Sequence, residues 1–214
     1  MSEMYHETRF SYDPRRKILW KSLWSYYFRE QIRPSDCVLD LGCGYGDFIN
    51  SVTAQRRIAI DSWPDCQEFL DPGVESLITP VTDLSKLADS SVDFAFASNL
   101  LEHLEKKEVA SMLAALRGKL SQNGTLNILQ PNWKYAFREY FDDFTHTSVW
   151  SDVSLGDFLR ANDWEVIEVL PRFLPLSLKS RFPVRSWLIR AWLMSPVKPL
   201  GKQMLIKARP LRKA

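Results

Sequence analysis

Nine residues, Val38-Leu39-Asp40-Leu41-Gly42-Cys43-Gly44-Tyr45-Gly46, narrow what this 214-residue chain can become. A short apolar run enters three glycines spaced two apart. Glycine alone takes positive φ without penalty and lets the backbone approach another group closely. A strand that passes through such a turn into a helix presents unpaired N–H groups at the helix start. In dinucleotide sites the pattern is GxGxxG, with a pyrophosphate on the helix end. Here the third glycine comes one residue early and Asp40 precedes the loop. An aspartate there repels a pyrophosphate and suits a cation that carries an ammonium group.

The rest of the chain alternates strands and helices. Cys37 to Leu41, Arg57 to Ile60, Val74 to Val81, Val92 to Ala97 and Thr125 to Leu129 read as strands, with Asn123-Gly124 as a turn before the fifth. Trp164 to Leu170 and Gln203 to Ala208 follow. Helices are expected over Arg15 to Gln31 behind Asp13-Pro14, over Phe48 to Ala54, and over Ser154 to Ala161. Another lies along the face of Val109, Met112, Leu113, Leu116 and Leu120. Strands alternating with helices at this spacing imply βαβ units and a mostly parallel sheet covered on both faces. The expected organisation is one domain over 1–214, with an N-terminal helical lid at 1–34 and a basic insertion at 171–201.

Two further acids stand at strand ends. Asp61 closes Ile58-Ala59-Ile60-Asp61, followed by Ser62, and its carboxylate can accept both hydroxyls of a ribose. Asp83 follows the third strand and can accept from an adenine amino group, with the Leu84 N–H donating to the ring. Ligands of open α/β sheets bind at strand C-termini, so three acids in succession there point to one site. On the motifs VLDLGCGYGDF, AID, TDL, VDFAFASNLLEHL and GKLSQNGTLNILQPN, the chain resembles class I S-adenosylmethionine-dependent methyltransferases over roughly Asp36 to Ala208. That resemblance implies a Rossmann-like three-layer α/β sandwich, its seven-stranded sheet mostly parallel and its final strand inserted antiparallel. S-adenosylmethionine is the implied cofactor, on Asp40, Gly42, Cys43, Gly44, Asp61, Ser62, Asp83 and Leu84, with Ser98 and Asn99 facing its methionine part.

Methyl transfer is an in-line displacement, so a protein mainly aligns the nucleophile and handles its proton. Of three histidines, His6 is set aside as part of the N-terminus. His103 follows Glu102, a pair widespread in the resembling family and read here as structural or capping. His146 ends Tyr140-Phe141-Asp142-Asp143-Phe144-Thr145-His146, in the connection after the fifth strand that borders the substrate cleft of such folds. His146 is the candidate base, with Asp143 orienting it. The cluster also suits sugar hydroxyls, or a divalent cation through carboxylate oxygens, or the plain role of a polar loop near the Ser154 helix; no metal is assigned. Asn132, Trp133 and Tyr135 are candidate pocket walls, and Tyr12, Arg15 and Arg16 a candidate lid over the methionine carboxylate. Trp20 and Trp24 read as core.

The net charge of +2 conceals an asymmetry. Up to Glu168 there are 17 Lys and Arg against 26 Asp and Glu; from Val169 onward there are eleven basic residues and no acid. Charge segregated in this way points to an anionic partner or to solubility. Arg172, Lys179, Arg181, Arg185, Arg190 and Lys198 interleave with Trp187 and Trp192, a composition suited to peripheral contact with an anionic membrane. Docking within the protein or a homodimer contact fits equally, because Ile189 and Leu193 spoil the amphipathic face. Nucleic acid is not an expected partner: no zinc-finger or RNP-like signature is present, and Ser98-Asn99-Leu100-Leu101 lacks the Pro-Pro-aromatic sequence of base-amino methyltransferases. Cys37, Cys43 and Cys66 contain no CxxC pair; Cys37 and Cys43 flank an apolar strand and read as small buried hydrophobes, and the set suits a reducing cytoplasm.

The chain is also loosely similar to methyltransferases of bacterial surface-polysaccharide biosynthesis, including its RFLPLSLKSRFP stretch. The expected acceptor is therefore a small molecule or glycan, nucleotide- or lipid-linked, methylated on a sugar hydroxyl. The expected location is the cytoplasm, or its membrane face. Two rivals stand: a NAD-dependent oxidoreductase on this fold, and a non-catalytic membrane adaptor.

Overall fold

The computed structural model describes residues 12–175 and 184–212. His6, Lys179 and Arg181 lie outside them, as does most of RFLPLSLKSRFP. Seven strands form one sheet: β1 (Cys37–Leu41), β2 (Arg56–Asp61), β3 (Val74–Ile78), β4 (Val92–Ser98), β5 (Leu120–Pro131), β6 (Trp164–Leu174) and β7 (Gln203–Pro210). Their order is β3-β2-β1-β4-β5-β7-β6. The first five pair in parallel, and β7 runs antiparallel to both β5 and β6. The expected α/β sandwich with an inserted antiparallel strand is what the chain forms.

The two-residue period of the strands divides the core. Leu39, Leu41, Ile58, Ile60, Ala95 and Ala97 face α2 (Lys106–Lys119) and α4 (Asp152–Ala161). Val38, Ala59, Phe94 and Phe96 face α1 (Arg15–Tyr26) and the turns that follow β1. In β4 small alanines thus lie under α2 and two phenylalanines fill the other side, where Phe28 and Trp20 pack edge-on to Phe96 and Phe48 lies tilted against it at 4.0 Å. Helix α2 opens on a capping box between Glu105 and Glu108, and α4 on one between Ser151 and Ser154, which satisfies orphan N–H groups at each start.

Four expectations need correction. No α-helix follows the glycine loop: Ile49–Ser51 is a single 3₁₀ turn, ended where Val52 becomes extended at ψ 141°. Asn123-Gly124 is not a turn before β5 but lies within it, at an irregular stretch between the Val92 and Phe94 pairings. A Cβ on Gly124 would stand 2.7 Å from the Val92 carbonyl oxygen, so glycine permits the close strand approach. The first helix ends at Tyr26 and a separate 3₁₀ turn covers Phe28–Glu30. Lastly, Pro171 to Leu174 extend β6, so the basic connection begins after them.

That connection carries α5 (Ser186–Met194), which docks on α1. Its inward face is Ile189, Trp192 and Leu193; the Trp192 indole N–H donates to the Phe173 carbonyl at 2.8 Å. Trp187, grouped by its spacing with Trp192, is instead 67 % exposed. No described helix is long and apolar enough to cross a membrane.

Candidate active site

The sheet reverses its winding between β1 and β4, and the C-terminal ends of the strands gather most of the expected residues there. Gly42, Gly44 and Gly46 have φ of 69°, 52° and 67°, the left-handed conformation that glycine adopts freely. The loop is tied to β2: the N–H groups of Gly42 and Cys43 donate to the Ile60 carbonyl, and that of Gly44 donates to Asp61 Oδ2 at 2.8 Å. Asp61 Oδ1 accepts from the Trp63 N–H at 2.9 Å. The carboxylate expected to meet a ribose therefore also braces the loop. Each oxygen keeps a further lone pair for a hydroxyl.

Asp40 is 2 % exposed. Burial, reinforced by the charge of Asp61, pushes its carboxyl up to about 8, against the favourable Ile49 N–H. Among the described residues no Lys or Arg is one of the groups that shift it. A cationic ligand beside these two buried acids would favour the ionised form of Asp40. Asp83 is exposed; hydrogen bonds from Ser85 hold its carboxyl below the usual range. Leu84 is buried, and Ser62 and Asn99 are exposed. Asn99 takes a positive φ of 49°, its N–H on the Leu129 carbonyl and its side-chain oxygen accepting from Gln203. Cys43 and Cys66 are both buried; the Cys43 thiol donates to the Gly44 carbonyl at 3.9 Å and is pushed up by the neighbouring Cys66 thiol and by burial.

Beside the loop, Tyr12, Tyr45, Trp63 and Phe69 form an aromatic group with ring centroids 4.7–6.3 Å apart. The chain spacing gives no hint of it, since its members come from three separate segments. Of the expected lid, Arg16 pairs with Asp47 just after the loop, whereas Arg15 pairs with Asp13. Trp20 is buried as expected, and Trp24 packs at the core edge.

A second group sits past β4 and β5. Glu102 and His103 lie on the 3₁₀ turn Leu101–His103. The later connection is stitched to this turn: Thr147 and Ser148 N–H donate to the Glu102 carbonyl, the Ser148 hydroxyl to Leu104, and the Trp150 indole to Leu101. His146 is thereby held with its ring centroid 4.8 Å from both His103 and Tyr140. Asp143 is linked to His103 through Thr145: its Oδ1 accepts from the Thr145 hydroxyl at 2.6 Å, and that hydroxyl meets His103 Nδ1 at 2.9 Å. Burial tends to raise Asp143, but the Thr145 hydrogen bonds and the two imidazoles bring it below its ordinary value. Burial and the neighbouring His146 push His103 down to about 4. Burial pushes Glu102 up to about 8.

Sequence reading treats Glu102 and His103 as structural and misses that they adjoin His146. The signal was limited, because 43 residues separate His103 from His146. Asn132 caps the short α3 (Trp133–Ala136) and ties it to Asp152 and Pro171. Trp133 packs edge-on to Tyr140 and Phe141, and Arg172 covers the Tyr135 ring at 4.0 Å.

Comparisons with known proteins accord with this geometry. A Streptomyces fradiae protein, described as an uncharacterized 37.1 kDa protein in transposon TN4556, is 30 % identical over 120 residues. The match covers 51 % of this chain and 34 % of that one, so the chain spans about a third of that relative. A SAM-dependent methyltransferase from Archaeoglobus fulgidus shares the fold with a TM-score of 0.68 and 20 % identity, covering 96 % of this chain and 97 % of its own. A SAM-dependent methyltransferase from Thermotoga maritima, described as a possible histamine N-methyltransferase, gives 0.65 and 17 %, covering 98 % and 94 %. Residues 12–169 match the family model described as a methyltransferase domain. The buried acids at the ends of β1 and β2 suit a cationic ligand such as S-adenosylmethionine, and the strand order, the glycine loop and the matched span together show that the chain belongs to the methyltransferase-domain family.

Proposed function

We propose that this protein is an S-adenosylmethionine-dependent O-methyltransferase whose acceptor is a sugar hydroxyl on a nucleotide- or lipid-linked glycan. The cofactor is S-adenosylmethionine. When bound it supplies an already activated methyl carbon, so the chain's own task is alignment and proton handling. Asp40 and Asp61 orient the cofactor by charge and hydroxyl recognition, with Asp83 and Leu84 at the adenine end and Ser98 and Asn99 at the methionine end. The acceptor hydroxyl meets His146, which takes the proton that the oxygen loses as its bond to carbon forms. Asp143 acts through Thr145 to fix His103 against His146.

The observation that carries the sugar reading is the composition of the acceptor side. Phe137, Phe141 and Phe144 are 53 %, 56 % and 76 % exposed beside Asp142 and Asp143. Aromatic faces pack on the C–H faces of a sugar ring, and carboxylates accept its hydroxyls. Arg172, Arg185, Arg190 and Lys198 supply charge for the phosphates of the carrier. The expected setting is cytoplasmic, with the basic segment toward anionic headgroups when the carrier is a lipid.

The test is methyl transfer from labelled donor to nucleotide sugars, lipid-linked glycans and small phenols. Label in the first two is expected; label in phenols alone overturns the sugar reading. His146→Ala is expected to lower turnover by about 10²–10⁴-fold with S-adenosylhomocysteine affinity unchanged. Unaltered turnover removes His146 from the proton path.

A further inference from the structure

We propose that Glu102, His103 and His146 bind a divalent first-row cation of the zinc type, through one carboxylate oxygen and two imidazole nitrogens. One such atom from each of the three lies within 4.8 Å of the others. This rests on the reading of the cluster as the acceptor side.

Glu102 gives the independent evidence. It is 1 % exposed, and neither carboxylate oxygen is hydrogen-bonded to another described residue. A buried carboxylate normally finds a donor or a metal. This one is aimed at two imidazoles instead. His103 gives the second argument. Its Nδ1 is engaged by Thr145, which is itself held by Asp143, and a ligating histidine characteristically has its other nitrogen fixed by such a partner. Third, the scaffold is rigid where it must be. The backbone bonds from Thr147 and Ser148 to Glu102 hold the two ligand-bearing segments together.

Two imidazoles and one carboxylate are the donor set of catalytic zinc centres and suit Zn(II) or Co(II) better than Mg(II) or Ca(II). Four-coordinate zinc with ligands at about 2.1 Å sets them about 3.4 Å apart. The half-buried His146 ring, on a loop, is the group that moves to close the difference. Three protein ligands leave a position for the acceptor oxygen. With the ion bound, His146 is a ligand rather than the base, the acidified hydroxyl gives its proton to solvent, and its oxygen then takes the methyl group as the carbon–sulfur bond breaks.

The test uses the full chain without a tag, stripped with chelator, titrated with ZnCl₂ by calorimetry and with CoCl₂ by visible absorption. One ion per chain is expected, with cobalt ligand-field bands and no sulfur charge-transfer band. Glu102→Gln and His146→Ala are each expected to weaken binding by at least about 100-fold, beyond the effect of losing an outer partner. S-adenosylhomocysteine binding by the stripped protein and both variants reports an intact fold and tests the cofactor reading separately. If Glu102→Gln loses it, His146→Ala carries the decision. Absence of binding, equal binding of MgCl₂, affinity unchanged in a folded variant, or a sulfur band abolished by Cys66→Ser overturns the site.

Discussion

Asp40→Asn separates the electrostatics of the rim from its packing. The side chains are nearly isosteric, so the variant removes charge while filling the same space. Folding moves this carboxyl from 3.8 to about 8. Between those values the folded chain holds a proton that the unfolded chain has released. Stability contributed by Asp40 is therefore lost as pH rises from about 4 to about 8. At about 1.4 kcal/mol per unit the whole shift corresponds to about 6 kcal/mol; with an effective interior dielectric above that of dry protein, about 2–4 kcal/mol is the expected size. By pH 5 the unfolded carboxyl is already ionised, so urea unfolding at pH 5 and pH 8.5 reads about three of the four pH units, and Asp40→Asn is expected to gain about 1.5–3 kcal/mol on wild type between the two conditions. Any packing cost of the amide appears equally at both and cancels. S-adenosylhomocysteine affinity should fall about 10–100-fold at pH 8.5, the worth of a charge-assisted contact of about 1.5–3 kcal/mol. A stability difference independent of pH would refute the argument that a buried, uncompensated charge defines this rim.

Three further outcomes follow from the geometry. Gly42→Ala forces a side chain into φ 69° with its Cβ 2.8 Å from Leu100 Cδ1; a loss of about 1–3 kcal/mol is expected, seen as a lower Tm. Asp61→Asn replaces one of two acceptors, for the Gly44 and Trp63 N–H groups, with a donor; both a loss of about 1.5–3 kcal/mol and weaker cofactor binding are expected, and a stable variant with normal affinity would contradict the bracing role. The basic segment with exposed Trp187 and Arg190 is expected to hold anionic vesicles in a salt-sensitive manner, at about 1 kcal/mol per basic residue; sedimentation indifferent to lipid charge leaves that segment to docking and solubility.

The sheet was legible in the sequence because its strands are short apolar runs bounded by turn residues, and the five parallel ones were each located within a few positions. Local chemistry hid the rest. Periodicity cannot see that Val52 becomes extended and ends the β1–β2 connection's helical stretch after one 3₁₀ turn. Nor can Asn-Gly, a strong turn signal, announce that it lies within a strand where the Val92 backbone needs room. The face of α5 was misassigned for a related reason: Trp187 and Trp192 share a helical side by spacing, yet only Trp192 finds a carbonyl to receive its N–H. At the site, acids next to strand ends were readable because topology puts strand ends together. The convergence of Glu102, His103 and His146 depends on hydrogen bonds between two distant segments, which no spacing encodes.

Strand β7 lies between β5 and β6, yet it follows both of them in the chain. Until residues 203–210 emerge, β5 ends the sheet with an open hydrogen-bonding edge and β6 has nothing to pair with. A chain stopped at residue 202 would thus forfeit two strands rather than one, together with the Gln203 amide that steadies Asn99. Closure of two strand edges and the tethering of Asn99 thus wait on the same eight residues, and a copy without them presents an adhesive edge to its neighbours.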